Sequence, residues 1–118
     1  MSDSPTREKS YAFAIRVVKL VQWLSAKKKE TVLSKQILRS GTSIGANVEE
    51  AYGAYSKKEF ASKLQISLKE AFETSYWLRL LKDTDYLDNK SFDSIHADCV
   101  ELIKMLTATT KTLKHNLS

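Results

Sequence analysis

Only four residues of this 118-residue chain are strong breakers of regular structure, Pro5, Gly41, Gly45 and Gly53. Sandwiches and barrels need turn residues every ~8 to 12 positions, so this scarcity confines the chain to a few long helices joined by short loops. Residues 38–78 narrow the choice further. Gly41 and Gly45 stand four apart among Ser40, Thr42, Ser43 and Ala46, so a neighbouring backbone can come close where larger side chains would hold it away. Each glycine costs about 1 kcal/mol relative to alanine in a helix interior, and close helix packing supplies the compensating reason for both.

The first predicted helix, about 5–26, opens at Ser4 or Thr6 with Pro5 in its first turn and ends before the basic run Lys27, Lys28 and Lys29. Its apolar residues fill two adjoining stripes. Tyr11, Ala14, Val18 and Val21 form one, with Ile15 beside it, and Phe13, Val17, Leu20 and Leu24 form the other. That is more apolar surface than one bundle seam covers, which assigns part of it to another copy of the chain. The second helix, about 32–54, starts at Thr31 or Ser34. It carries Leu33, Ile37, Gly41, Ile44, Val48, Ala51 and Tyr55 at the alternating spacing of a bundle seam.

Gly53 marks a break, and Ser56 with Glu59 forms a capping-box pattern that opens a third helix over about 57–82. Its stripe reads Phe60, Leu64, Ser67, Ala71, Ser75 and Leu78. After the polar turn 83–90, Asn89 or Ser91 caps a last helix, about 90–115, with Phe92, Ile95, Cys99, Leu102, Leu106, Thr109 and Leu113 in register. The expectation is one all-α domain over 1–118, an antiparallel up-down-up-down four-helix bundle.

The single Cys99 lies on an apolar stripe, excludes an internal disulfide and fits a reducing cytoplasm. No apolar run approaches the ~18 residues of a membrane span, and the N-terminal stretch lacks a signal-peptide core. The net charge of +5 is unevenly spread. Residues 1–40 hold nine Lys or Arg against three acids, whereas residues 83–101 hold six acids against Lys90 alone. Such asymmetry suits an anionic partner or head-to-tail association.

Glu49, Glu50, Glu70 and Glu73 invite the test of a di-metal centre, but that chemistry wants Glu-x-x-His on two helices and neither helix has a histidine. No metal or cofactor is therefore expected. Ser43, Asn47 and Glu50 share one stripe, and with Arg39, Glu70 and Glu73 they read as a structural polar network at a helix interface, in which Arg39 reaches Glu50 or Glu70. No phosphate-cradling loop or serine elbow occurs, and Cys99 lies on the core stripe, so no enzyme is expected. Trp23 and Trp77 read as packing residues.

The strongest functional signal is basic residues among aromatics. Arg7, Lys9, Arg16 and Lys19 lie near Tyr11, Lys27, Lys28 and Lys29 end the first helix, and Lys57 and Lys58 follow Tyr55. Cations gathered on one face are what phosphate contacts require, pointing to RNA or another nucleic acid as partner. The alternative is a protein-interaction module that uses the acidic 83–101 region or the apolar face.

The runs RSGTSIGANVEEA (39–51), SKKEF (56–60) and KEAFETSYWL (69–78) resemble the family of large-subunit ribosomal RNA intervening sequence proteins, and the resemblance extends over nearly the whole chain. Ser43, Asn47, Glu50, Glu70, Glu73 and Trp77 occupy the family's Ser-x-x-x-Asn-x-x-Glu, paired-glutamate and aromatic-Trp-Leu places. Ala51 stands where many relatives carry glycine. The resemblance implies a ring-like homopentamer of four-helix bundles in a bacterial cytoplasm, with no established enzymatic activity. The family's name comes from genes inserted in ribosomal RNA genes and does not itself imply ribosome binding. A related group, the accessory variability proteins of diversity-generating retroelements, implies by analogy a basic pentamer that binds nucleic acid.

Overall fold

In a computed structural model describing residues 4–117, four helices follow one another: α1 (Pro5–Lys28), α2 (Val32–Tyr52), α3 (Lys57–Asp83) and α4 (Asn89–Leu117). No strand occurs among the described residues. Each helix starts where a side chain can satisfy its first free amides. Ser4 accepts from Arg7 N ahead of Pro5, and Ser56 accepts from Glu59 N at 3.0 Å. Only half of the capping box forms there, because one Glu59 carboxylate oxygen is buried without a partner.

Two caps differ from the expected ones. Thr31 makes no side-chain cap bond; the Glu30 carboxylate instead accepts from the amides of Val32, Leu33 and Ser34 at 2.8–3.0 Å and from the Ser34 hydroxyl. At α4 it is Asp88, not Asn89 or Ser91, that caps, accepting from Ser91 N at 2.7 Å. In both cases an acidic side chain one step earlier reaches the amides and also meets the positive end of the helix dipole. Lys29 and Asp85 carry the left-handed backbone of the turns after α1 and α3, with φ of 57° and 70°.

The pairings run in opposite senses along neighbouring helices. As α1 is followed forward, Ser4, Arg7, Ser10 and Val17 meet Tyr52, Glu49, Gly45 and Gly41 of α2. Glu50, Ile44 and Ser40 of α2 meet Lys63, Ser67 and Thr74 of α3. Ala71 and Ser75 of α3 meet Cys99 and His96 of α4, and Lys9 and Arg16 of α1 meet Glu101 and Asp98 of α4. Each helix thus touches two others around one apolar core that includes Phe13, Val17, Leu24, Ile37, Ile44, Leu78, Leu102 and Leu106.

The seams depart from the expected register at three places, twice by one residue. Thr74, not Ser75, is the fully buried position of α3, and Thr110 replaces Thr109 on α4. Both are threonines bonded to the carbonyl four residues back, Thr74 to Glu70 O and Thr110 to Leu106 O, which lets a hydroxyl enter an apolar seam without an unmet partner. The third shift is larger. α2 stops at Tyr52, so the turn beginning at Gly53 carries Tyr55 off the seam to 94 % exposure.

Close approach of α1 and α2 is written in the glycines. A Cβ on Gly41 would lie 2.8 Å from a Val17 methyl, and one on Gly45 would lie 3.2 Å from the Ser10 carbonyl oxygen. Val17 is fully buried and β-branched, so it has little freedom to yield. Gly41→Ala should therefore lower stability by about 1–3 kcal/mol in urea unfolding despite alanine's higher helix propensity, with favourable coupling to Val17→Ala in a double-mutant cycle. A neutral Gly41→Ala would contradict the packing account.

Glu30 is 8 % exposed. Burial pushes its carboxyl upward, but the bonds from Leu33, Ser34 and Val32 outweigh that and hold it below its ordinary 4.5. Glu30→Ala should cost about 1–2 kcal/mol. Because the folded pKa is the lower one, this contribution is complete above pH 4.5 and disappears as pH falls through the folded value. The gap in thermal midpoint between wild type and variant should close in acid.

Candidate functional site

The nine cations expected on one face are not gathered there. Arg7 forks onto Glu49, with Nε and a terminal nitrogen donating at 3.0 and 2.8 Å, and lies 4.9 Å from the Tyr52 ring centroid. That fork raises the Arg7 pKa and lowers that of Glu49. Lys9 pairs with Glu101 at 3.2 Å, and Arg16 donates to Asp98 at 2.7 Å and to the Ser94 carbonyl and hydroxyl. Three first-helix cations are thereby neutralised by acids of α2 and α4.

Lys19 lies in an open groove of about 660 Å³ between α1 and α4, together with Leu20, Trp23, Leu87 and Lys90. Lys27, Lys28 and Lys29 form the end of α1, where Lys28 sits 5.5 Å from the Trp23 ring and helps to lower the Asp88 carboxyl, whose main partner is Ser91. Lys57 and Lys58 begin α3 on the far side of the 21-residue α2, about 30 Å away along the helix axis. One-dimensional spacing could not separate these runs, because it carries no information on which acid each lysine meets.

The six residues expected to form one polar network divide into parts. Arg39 bridges α2 to α3 by pairing with Glu70 at 3.3 Å and with Glu73, whose carboxylate also accepts the Trp77 indole N–H at 3.0 Å. The Arg39 guanidinium, and then the Trp77 N–H, hold the Glu73 carboxyl below its ordinary range. Ser43 and Asn47 bond back within α2, to the carbonyls of Arg39 and Ser43. Glu50 pairs with Lys63 instead of Arg39, at 2.9 Å.

Beneath this clamp lie hydroxyls that the sequence pattern did not single out as a set. The Thr74 and Ser40 hydroxyls hydrogen-bond at 2.9 Å, and Ser67 donates to the Ile44 carbonyl at 2.8 Å, all fully or nearly fully buried. Small hydroxylated residues at core register on both helices were the available signal.

No group of three or more His, Cys, Asp or Glu among the described residues could hold a metal ion. The Cys99 thiol donates to the Ala71 carbonyl at 3.4 Å, and burial pushes its pKa up to about 12, which leaves it protonated and unreactive. His96 bonds Ser75 at 2.9 Å and stacks on Phe92; burial, then Arg79, lowers its pKa. Its ring joins α3 to α4. Trp77 is half-buried, with its ring edge-on to Tyr76 at 5.0 Å. No helix among the described residues is long and apolar enough to cross a membrane.

Fold and side-chain arrangement together define an all-helical four-helix bundle protein whose seams are pinned by ion pairs and buried hydroxyls. The family model described as 23S rRNA-intervening sequence protein matches residues 3–108, and the chain belongs to that family. A crystal structure of a protein of unknown function from the S23 ribosomal protein family of Bacteroides thetaiotaomicron is similar to it. The two are 50 % identical with a TM-score of 0.89, over 90 % of this chain and 98 % of that one. No curated protein matches the chain.

Arg39 is half exposed, so solvent screening limits what its pairs contribute. Arg39→Met should lower stability by no more than about 1 kcal/mol, and a double-mutant cycle with Glu73→Gln should show coupling of about 0.5 kcal/mol. Zero coupling in that cycle would mean that the clamp contributes nothing.

Proposed function

We propose that this protein is a non-enzymatic homo-oligomer of up-down-up-down antiparallel bundles, ring-like and pentameric, that binds RNA or another nucleic acid through cations left free on its surface. The opposed pairings along every seam support the antiparallel arrangement. The observation that carries the binding reading is the imbalance at the α2–α3 turn: Lys57 and Lys58 make no ion pair among the described residues, while the nearby acids Glu49 and Glu50 are held by Arg7 and Lys63 and the adjacent Glu59 has one carboxylate oxygen buried. Phosphates are the natural complement of such a surface, and several copies in one assembly would multiply a modest patch into strong retention.

Oligomerisation draws support from the outer stripe of α1. Tyr11 is 71 % exposed, and Ile15 and Val18 are also exposed beside it. With Ala14 they line a shallow apolar depression that no other helix of the chain covers. The five-fold copy number, the bacterial cytoplasmic setting and the absence of catalysis follow from the family resemblance. The protein-partner reading draws less support, because Asp98 and Glu101 of the acidic region are paired with Arg16 and Lys9, and Asp88 caps α4.

Retention on RNA should fall steeply between about 50 and 200 mM salt, and Lys57→Ala with Lys58→Ala should flatten that dependence. Light scattering should give a mass several times that of one chain. A monomer that fails to bind RNA even at low salt would remove the proposal, and a protein partner surviving nuclease treatment would favour the other reading.

A further inference from the structure

Tyr55 is the most exposed of the large apolar side chains, at 94 %, and nothing in the fold accounts for it. Its neighbour Tyr52 is committed to the fold: the ring meets Phe60 edge-on at 5.4 Å and the hydroxyl bonds Ser4. Tyr55 has no hydrogen bond, ring contact or cation against it among the described residues. It is nonetheless held on a fixed mount. Gly53 N and Ala54 N bond back to Glu50 O and Ala51 O, and Ser56 caps α3 directly after it. An aromatic with only two side-chain torsions loses little entropy when something stacks on it.

Its surroundings break a local rule. Lys57 and Lys58 occupy the first turn of α3, where the helix dipole disfavours cations; Glu59, the acid of the same turn, has one carboxylate oxygen buried and its amide capped by Ser56. A third lysine arrives from α4. Ser75 and His96 touch across the α3–α4 seam at 2.9 Å, and Lys57 lies eighteen residues before the one while Lys114 lies eighteen after the other. About 18 residues complete five helical turns, and the opposed pairing of the two helices carries Lys57 and Lys114 to the same end of that seam. Neither lysine has an ion pair among the described residues.

We infer that this end of the bundle is a site for single-stranded polynucleotide, in which Tyr55 stacks on an unpaired base while Lys57, Lys58 and Lys114 hold the adjoining phosphates. The inference rests on the nucleic-acid reading above and specifies its ligand. A lone outward ring needs an exposed base face, which a duplex keeps inside its stack.

The test is anisotropy titration of the full chain with labelled oligouridylate and oligothymidylate of about 10–15 nucleotides, and with a duplex of equal length. Tyr55→Ala should weaken binding of the single strands about tenfold without changing the salt slope, and Tyr55→Phe should restore it. Lys57→Ala with Lys114→Ala should reduce the slope by about two, and the duplex should bind more weakly and ignore Tyr55→Ala. Single-strand binding unaltered in Tyr55→Ala, or a duplex bound equally well, would overturn this site while leaving the nucleic-acid reading intact. Wild type binding neither strand at low salt would remove both. A Tyr55→Ala variant of reduced assembly mass in light scattering would overturn it too, by making the ring a contact between copies.

Discussion

The contact of Gly41 with Val17, and of Gly45 with the Ser10 backbone, sets the distance between α1 and α2, and the rest of the bundle is arranged around it. Packed interiors have little slack, so a helix pair drawn this close fixes which residues can fill the remaining space. The adjoining face of α2 then meets α3 through Ser40, Thr74 and Ser67, again a small-residue seam, but one tied by hydroxyls rather than left bare. α2 is thus the central strut. It is flanked closely on both sides, and its own seam residues Ile37, Ile44 and Val48 are wholly buried.

That arrangement decides the electrostatics as well. With α1 against both α2 and α4, Arg7, Lys9 and Arg16 face Glu49, Glu101 and Asp98, so much of the charge asymmetry along the chain cancels in three dimensions. Among the described cations without an ion pair, Lys57 and Lys58 stand at a helix start and Lys19, Lys69 and Lys104 lie on outer helix faces, where no packed neighbour presents an acid within reach. Exposed pairs such as these add little stability, since water and salt screen them, but they choose register by penalising like charges brought together. Arg39, held between Glu70 and Glu73, serves the α2–α3 seam in the same way.

Helix number, helix limits to within about two residues and most core stripes were legible in the sequence, because periodicity and capping chemistry are local. The misses are equally local in origin. Spacing alone selects Ser75 over Thr74 and Thr109 over Thr110, because adjacent hydroxylated residues are interchangeable to a pattern that counts only spacing. The cap at Glu30 is invisible to the pattern, since a glutamate bending back onto three amides has no spacing signature. The polar stripe Ser43, Asn47, Glu50 was visible, but its partners were not. Two of its members bond within their own helix, and the third meets Lys63.

By itself the sequence determined that this chain makes four amphipathic helices, that two of them touch at glycines, and that apolar surface remains on the first. Propensity, period and the lack of breakers act through neighbours in the chain, so they can be read along it. Only the tertiary structure decided which lysines keep their charge unopposed and that Tyr55 leaves the seam for solvent. The ion pairs of α1 join residues 42 to 92 positions apart, brought within a few ångströms by packing that no local pattern encodes.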